Sequence, residues 1–467
     1  MLQFIAILKD SFREAVDGFV IYAMLVMSAL VIALLGSISF TPEPPKEALD
    51  QIVKQFPLVF PDKGLSRAIT PSFENSFSAA DVQPAAGGYK LRVAVSAQRK
   101  GVKDDPVEMA GGKSDKPAGD SFRETVLLWS RPAERVKDVE AKGQKIQLAQ
   151  PGSTSIADQR AVPDDLLCDF IKNQFAIHAG MSATVTRVMA GVEEPRYEFD
   201  VTTTGGSAVR GWPHKVSLFF GAWTLPVPFN LGSTLFWIQD RLVNGLGAVL
   251  ALLISIVITA FFIPNMLRKG SIDLLISKPI GRSQLLVYKY IGGLTFMFLV
   301  TTFTVGGVWL VLALRSGVWD PKFLVVIPVL TFTFAILYAV STFAAVFTRS
   351  AIVSILLSVG FAFFLYVVGQ VKSVFDAIKT DEKTKNELPE WSFTLVDTLN
   401  NILPRYKDLD KLTTKVLSEG TLTPAELRMR ALDLIDYPSW GGTFGVSLAF
   451  IVLMLALSCW RLSRRDY

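Results

Sequence analysis

Gly111-Gly112-Lys113-Ser114 has the ending of a loop that cradles phosphate with backbone N–H groups and a lysine. Such a loop needs a glycine five positions before its Gly-Lys pair, and Val107 stands there instead. Nucleotide binding is therefore not expected, and the surrounding "KDDPVEMAGGKSDKPAGD" reads as a flexible loop. The two histidines, His178 and His214, lack metal-ligand spacing to other His or Cys residues. Asp164, Asp165, Cys168 and His178 are the nearest approach to a ligand set, but they read better as the surface and core of one helix. Cys168 lies in a polar region and Cys459 in an apolar run, so the two fall in different compartments and no disulfide framework is expected. Covalent catalysis, a bound metal and a bound cofactor are not expected of this chain.

A charged stretch remains, "RKGSIDLLISKPIGR" at 268–282, set between two long apolar runs. Half of the 467 residues are hydrophobic and 19% are charged, against about 25% in soluble domains. Mean hydropathy is +0.38. This balance suits membrane spans diluted by soluble parts. A bilayer core needs about 20 apolar residues as helix. Six segments qualify, at 18–40, 243–263, 289–314, 323–347, 351–370 and 442–460, and their interiors lack Asp, Glu, Lys and Arg. That absence argues against a proton-coupled carrier. The net charge of +5 reads as orientation charge at span ends, because no cluster of cations interleaved with aromatics marks a nucleic-acid face.

Short loops orient the spans. Arg268, Lys269, Lys278, Arg282 and Lys289 accompany the 264–288 loop, with Asp273 as its acid, and Arg461, Arg464 and Arg465 mark the 461–467 tail. Both clusters lie on one side if there are six spans, which places both termini in the cytoplasm. Arg315 and Lys322 disagree, since they flank the opposite connection. Trp237, Trp319 and Trp440 then fall at outer span ends, where amphipathic rings favour the interface. The first apolar run is too long for a typical signal peptide and reads as an uncleaved span. Before it, in 1–17, Ile5, Leu8 and Phe12 share one helical face, while Arg13 and Glu14 share the other. That is the pattern of a helix lying in the membrane interface, or of a cytoplasmic extension of the first span.

Residues 41–242 separate the first two spans. Runs such as "YKLRVAVSA", "ETVLLWS", "QKIQLAQ", "ATVTRVMAG", "RYEFDVTT" and "KVSLFFGAW" read as strands. "PDDLLCDFIKNQFAIHAG" reads as a helix opened by Pro and acids and closed by Gly. A β-rich α+β extracytoplasmic domain is expected. The 371–441 segment reads as a smaller helical outer part, with Thr423-Pro424 and Glu426 starting a helix. The fold class is thus an α-helical integral membrane protein of six transmembrane helices carrying these two outer parts.

Within 268–282, Gly270 frees the backbone, Ser271 can cap a short helix, and Lys278-Pro279 ends it. Ile272, Leu274, Leu275 and Ile276 make an apolar knob that wants a partner groove. The cations suit anionic lipid headgroups, and a plain loop stapled to lipid is the other reading. The segment "RKGSIDLLISKPIGRSQLLVYKYIGG", the entry stretch "DSFREAVDGFVIYAMLVMSALVIALL" and the ending Arg464-Arg465-Asp466 together resemble the membrane subunits of ATP-binding-cassette (ABC) transporters of the second exporter type in bacterial inner membranes. The resemblance implies a coupling helix that docks on a separate ATPase subunit, built here by Gly270, Ile272, Asp273, Leu274, Leu275, Pro279, Arg282 and Lys289. It also implies a second permease chain as partner and ATP-Mg on the ATPase, with membrane lipids around and no nucleic acid. Arg268-Lys269 departs from the family, where an acid often precedes the glycine. ATP-driven signalling through the outer domain without transport, and an ATPase-independent receptor or scaffold, are the alternatives.

Overall fold

The computed structural model describes residues 20–59, 70–71, 75–97, 99–100, 119–130, 159, 161–188, 196–206, 209–266, 281–380 and 389–464. The expected interfacial segment, with Ile5, Leu8, Phe12, Arg13 and Glu14, lies outside the described residues. So do the strand expected at "QKIQLAQ" and most of the 264–288 loop.

The chain is mostly helical with a β-rich part. Among the described residues, four helices are long and apolar enough to cross a membrane: α8 (Arg282–Ser316), α9 (Val326–Thr348, entered through a 3₁₀ turn at Pro321–Val325), α10 (Ala351–Thr380) and α14 (Trp440–Ser463). Two shorter apolar helices accompany them, α1 (Val20–Gly36) and α6 (Leu246–Thr259). The stretch 243–263 is not one continuous helix. A preceding helix, α5 (Leu231–Val243), stops at Asn244, α6 starts after Gly245, and α7 (Phe262–Met266) follows a break.

Helices α1 and α8 run parallel in close contact. Ser28 and Thr304 share a hydroxyl hydrogen bond of 2.6 Å. Further along, Gly307 faces Ile32 so closely that a β-carbon would collide with it, and Gly36 faces Val311. At the end, the Arg315 guanidinium donates to the Ile38 carbonyl (3.0 Å) and the Ser39 hydroxyl (2.8 Å). That contact gives the cation at this end of α8 a local structural role. The opposite end of the bundle is tied by Leu285, Leu286, Ile263, Met266, Val346 and Leu462 in one cluster.

The β-rich part sits at the Arg315 end. A four-stranded antiparallel sheet is built from β2 (Asn75–Ala85), β3 (Gly88–Ala97), β4 (Ser182–Arg187) and β5 (Arg196–Thr204), in the order β2-β3-β5-β4. Alternation drives it: Leu91, Val93 and Val95 point inward, as do Tyr197, Phe199 and Val201. They meet the helices α2 (Pro45–Val53), α3 (Ser121–Ser130) and α4 (Asp164–Ala179) in one core with Phe56, Phe122 and Phe170. Helix α4 opens on two acids, which suit the N-terminal dipole, and ends at Gly180 with φ of 72°, a left-handed cap.

The run "ETVLLWS", expected as a strand, belongs to α3. Its contiguous apolar residues do not distinguish strand from helix by period. The deciding residue precedes it: the Asp120 carboxylate accepts from the N–H groups of Phe122 (2.9 Å) and Arg123 (3.3 Å) and caps a helix. Phe122 and Val126, one turn apart, then face the core.

A second sheet joins this domain to the bundle. Strand β1 (Ser39–Pro42) leaves α1 directly and pairs antiparallel with β6 (Pro213–Leu218), which also pairs with the short β7 (Trp223–Thr224) and β8 (Phe229–Asn230). Strand β8 runs straight into α5. A second, helical part consists of α11 (Glu390–Ile402), α12 (Tyr406–Thr421) and α13 (Pro424–Met429); α12 packs against α5 and α11 against α10. The start of α13 is a capping box. Thr423 Oγ1 accepts from the Glu426 N–H (3.3 Å), and the Glu426 carboxylate accepts from the Thr423 N–H (3.0 Å).

Gly232 lies where a β-carbon would fall onto the carbonyl oxygen of Thr421. Gly232→Ala should therefore pry α5 from α12 and destabilise the protein by about 1–3 kcal/mol. Gly441→Ala, with open space around it, should leave stability unchanged. Thermal unfolding in mild detergent, comparing the two, measures this.

Candidate functional site

Three places in the structure hold the features a functional site needs. The first is the bundle end opposite the β-rich part. Of the expected coupling residues, Arg282 and Lys289 are described; Gly270, Ile272, Asp273, Leu274, Leu275 and Pro279 lie outside the described residues. Arg282 opens α8, and the Gln284 side chain reaches back to the Gly281 N–H (3.4 Å) to cap that helix. Lys289 lies two turns on and is 4% exposed. The three ends that meet here, of α7, α9 and α14, clasp this first part of α8. The Cys459 thiol donates to the Ser283 carbonyl, and the Arg461 guanidinium lies 5.5 Å from the Phe347 ring centre. Whatever moves the start of α8 must move this cluster with it.

The second is a crevice of about 260 Å³ bounded by α1, α6, α8 and the end of α5. Its walls are apolar: Met24, Met27, Leu252, Ile258, Val300 and Val305 are among them. Four hydroxyls interrupt that surface, and each is already engaged. Ser28 pairs with Thr304; Ser255 donates to the Ala251 carbonyl (2.6 Å); Thr301 donates to the Met297 carbonyl (2.9 Å). Such walls suit hydrocarbon and offer an ion nothing. Sequence reasoning missed this feature. Its trace was present in the hydroxyls at Ser28, Ser255, Thr301 and Thr304, which interrupt otherwise apolar helices.

The third is the polar joint between α5, which follows the β-rich part, and the helices α12 and α13. The Asp240 carboxylate on α5 accepts from Asn244 Nδ2 (2.9 Å) and from the Thr414 hydroxyl (3.3 Å) on α12. Asn230 donates to Glu426 (3.0 Å), and Arg210 to the Glu419 carbonyl (3.3 Å). Near Asp240, Asp410 is drawn off the water. Burial pushes its carboxyl up to about 7, the Asp240 charge adds to this, and Lys407 at 4.0 Å opposes it.

Asp164, Cys168 and His178, the nearest approach to a ligand set, have other work. His178 is buried in the domain core, with its ring 5.7 Å from that of Phe56. Asp164 is paired with Arg187. Burial pushes the Cys168 thiol up, away from thiolate reactivity. Among the described residues, no three of His, Cys, Asp or Glu are placed to hold a metal ion.

Four helices of membrane length, two shorter apolar helices packed among them and a β-rich part at one end define a multi-pass membrane protein. The chain matches the family described as ABC-2 family transporter protein over residues 7–467, nearly its whole length, and belongs to that family. Membership implies the membrane subunit of an ABC transporter, with an ATPase as partner. No curated protein matches the chain.

The Asp410 geometry carries a pH dependence. Its folded carboxyl titrates higher than in the unfolded chain, so its stabilising contribution is complete below about pH 4 and is lost as pH rises through about 7. Asp410→Asn should flatten the decline in melting temperature between pH 5 and pH 8. At pH 8 the variant should be the more stable by about 2 kcal/mol, as read by thermal unfolding across that range.

Proposed function

We propose that this chain is the permease subunit of an ABC transporter in the bacterial inner membrane, moving a substrate outward. A separate ATPase supplies the energy, and ATP-Mg binds there and not on this chain. The observation that carries the reading, beside family membership, is the parallel packing of α1 and α8. If α1 crosses the bilayer, α8 crosses in the same direction, so the intervening α6–α7 stretch has to return. Six crossings follow once α9, α10 and α14 are added. Both chain ends then share a side with the 264–288 loop, which the cation clusters put in the cytoplasm.

Two such permease chains, identical or paired with a sister, sit on two ATPase subunits in this scheme. The short helix expected within 268–282 docks into a groove of the ATPase through Ile272, Leu274 and Leu275. Closure of the ATPases on ATP tilts that helix, and α8 carries the displacement. Packed interfaces of this kind switch between discrete arrangements rather than deforming smoothly. The crevice beside α1 and α6 suits a substrate with apolar parts.

A second reading is ATP-driven work on an envelope partner through the outer domain. It is favoured by the hydrogen-bonded joint among Asp240, Asn244 and Thr414, which ties the two outer parts together. Transport into sealed vesicles separates the two readings.

Leu274→Asp with Leu275→Asp should weaken association with the ATPase by about 2–4 kcal/mol, the range of interface hot spots. Co-purification of the ATPase and its stimulation should both be lost while the permease still folds. Normal assembly and stimulation would remove the coupling assignment.

A further inference from the structure

The turn after β6 is the most unusual piece of backbone among the described residues. Phe219, Phe220 and Gly221 follow one another with φ of 52°, 57° and 96°. Bulky residues rarely hold positive φ, and such strain persists only where the surroundings impose it, commonly at functional positions. The effect on the side chains is plain. Phe220 is 78% exposed and Trp223 62%, and Phe219, Val227 and Phe229 are all exposed as well. Five large apolar side chains within eleven residues are offered to the surroundings. A soluble domain seldom leaves such a patch uncovered.

Its height in the molecule says what covers it. The Phe220 N–H donates to the carbonyl of Ser37 (2.8 Å), the residue that follows α1. Arg315, at the end of α8, bonds Ile38 and Ser39 one step further on. The turn is therefore pinned level with the ends of two apolar helices. Below it, α1 shows an outward stripe of Tyr22, Val26, Leu30 and Leu34, each exposed and one turn apart. The aromatic turn continues that stripe beyond Leu34. Arg315 lies at the same height, where lipid phosphates would sit. Aromatic rings level with the ends of membrane helices occupy the boundary between headgroup and acyl chain.

We propose that the 219–229 turn is a wedge in the lipid interface, with Phe219, Phe220 and Trp223 inserted at the headgroup–acyl boundary beside α1. It holds the β-rich domain at a fixed distance from the bilayer. This inference rests on the reading of α1 as a membrane-crossing helix.

The test uses the full chain with Cys168→Ser and Cys459→Ser, reconstituted in vesicles of phosphatidylethanolamine and phosphatidylglycerol. A nitroxide label is placed at Phe220→Cys, and separately at Val227→Cys in case the first variant folds poorly. Leu30→Cys on the α1 stripe and Ser78→Cys on the outer face of the sheet serve as references. Collision of each label with oxygen, which partitions into lipid, is compared with collision with a water-soluble nickel chelate. The 220 and 227 labels should give an oxygen-to-nickel ratio several-fold above that at 78 and below that at 30. A ratio equal to that at 78 overturns the wedge. Low collision with both reagents also overturns it, because protein, a second copy or another partner, then covers the turn. A water-like ratio at 30 removes the crossing of α1 itself, and the wedge falls with it.

Discussion

The side-by-side contact of α1 and α8 is the constraint on which the rest of the molecule depends. Between helices surrounded by lipid there is no hydrophobic drive toward association, because lipid tails are as apolar as the side chains they touch. Close approach of small residues and hydrogen bonds between hydroxyls must do that work. Here Gly307 and Gly36 provide the approach, and Ser28 with Thr304 provides the bond. Arg315 fixes the far end by binding the chain just after α1 ends. The register of the two helices is thereby set along their common length, and with it the height at which β1 begins.

The same device recurs at the next interface. Gly293 on α8 leaves room for the Tyr338 ring of α9, which lies stacked between Tyr290 and Phe334 at 5.1 and 5.2 Å between ring centres. The Tyr290 hydroxyl donates to the Ala335 carbonyl (2.7 Å), so this aromatic column leaves that phenol paired within the bundle. Helix α9 is the most enclosed of the four long apolar helices, and α10 and α14 keep broad apolar faces outward. A helix that is apolar all round and yet mostly covered is the axis of a bundle.

Much of this was legible in the amino-acid order. Long uncharged runs announced α8, α9, α10 and α14, since length and apolarity alone decide that kind of element. Alternation announced the strands around Leu91, Val93 and Val95, and the Thr423–Glu426 pair announced its helix. What was not legible has physical reasons. The strand at Asn75–Ala85 escaped notice because its outer half is polar and exposed, and pairing with β3 is what makes it a strand. The helix at Ser121–Ser130 was hidden because the Asp120 cap, not the apolar run, decides it. The break near Ala260 had a mark in the sequence that the span reading passed over: Pro264 has no N–H for the Ala260 carbonyl and its ring crowds it, and just before it Ser255 and Thr259 turn their hydroxyls onto carbonyls of the preceding turn, a habit that bends helices. The crevice was invisible because it arises between several helices whose spacing no single segment encodes.

The two functional readings differ less in structure than in consequence. Helix α8 has 35 residues and so runs about 50 Å at the usual rise per residue. One end is clasped by α7, α9 and α14, and the other is bonded to the first strand of the outer sheet. A rod fixed at both ends cannot tilt at one without loading the other. Motion delivered at Arg282 would therefore reach β1 through Arg315, and β1 is linked to β6, β8 and α5 by unbroken pairing and chain connection. The joint at Asp240, Asn244 and Thr414 links α5 in turn to α12. A displacement of the start of α8 would load the β-rich domain through this connectivity whether or not a substrate passes. The two proposed functions would thus use one mechanical path and would part only at the crevice beside α1, which a substrate would enter in one and not in the other.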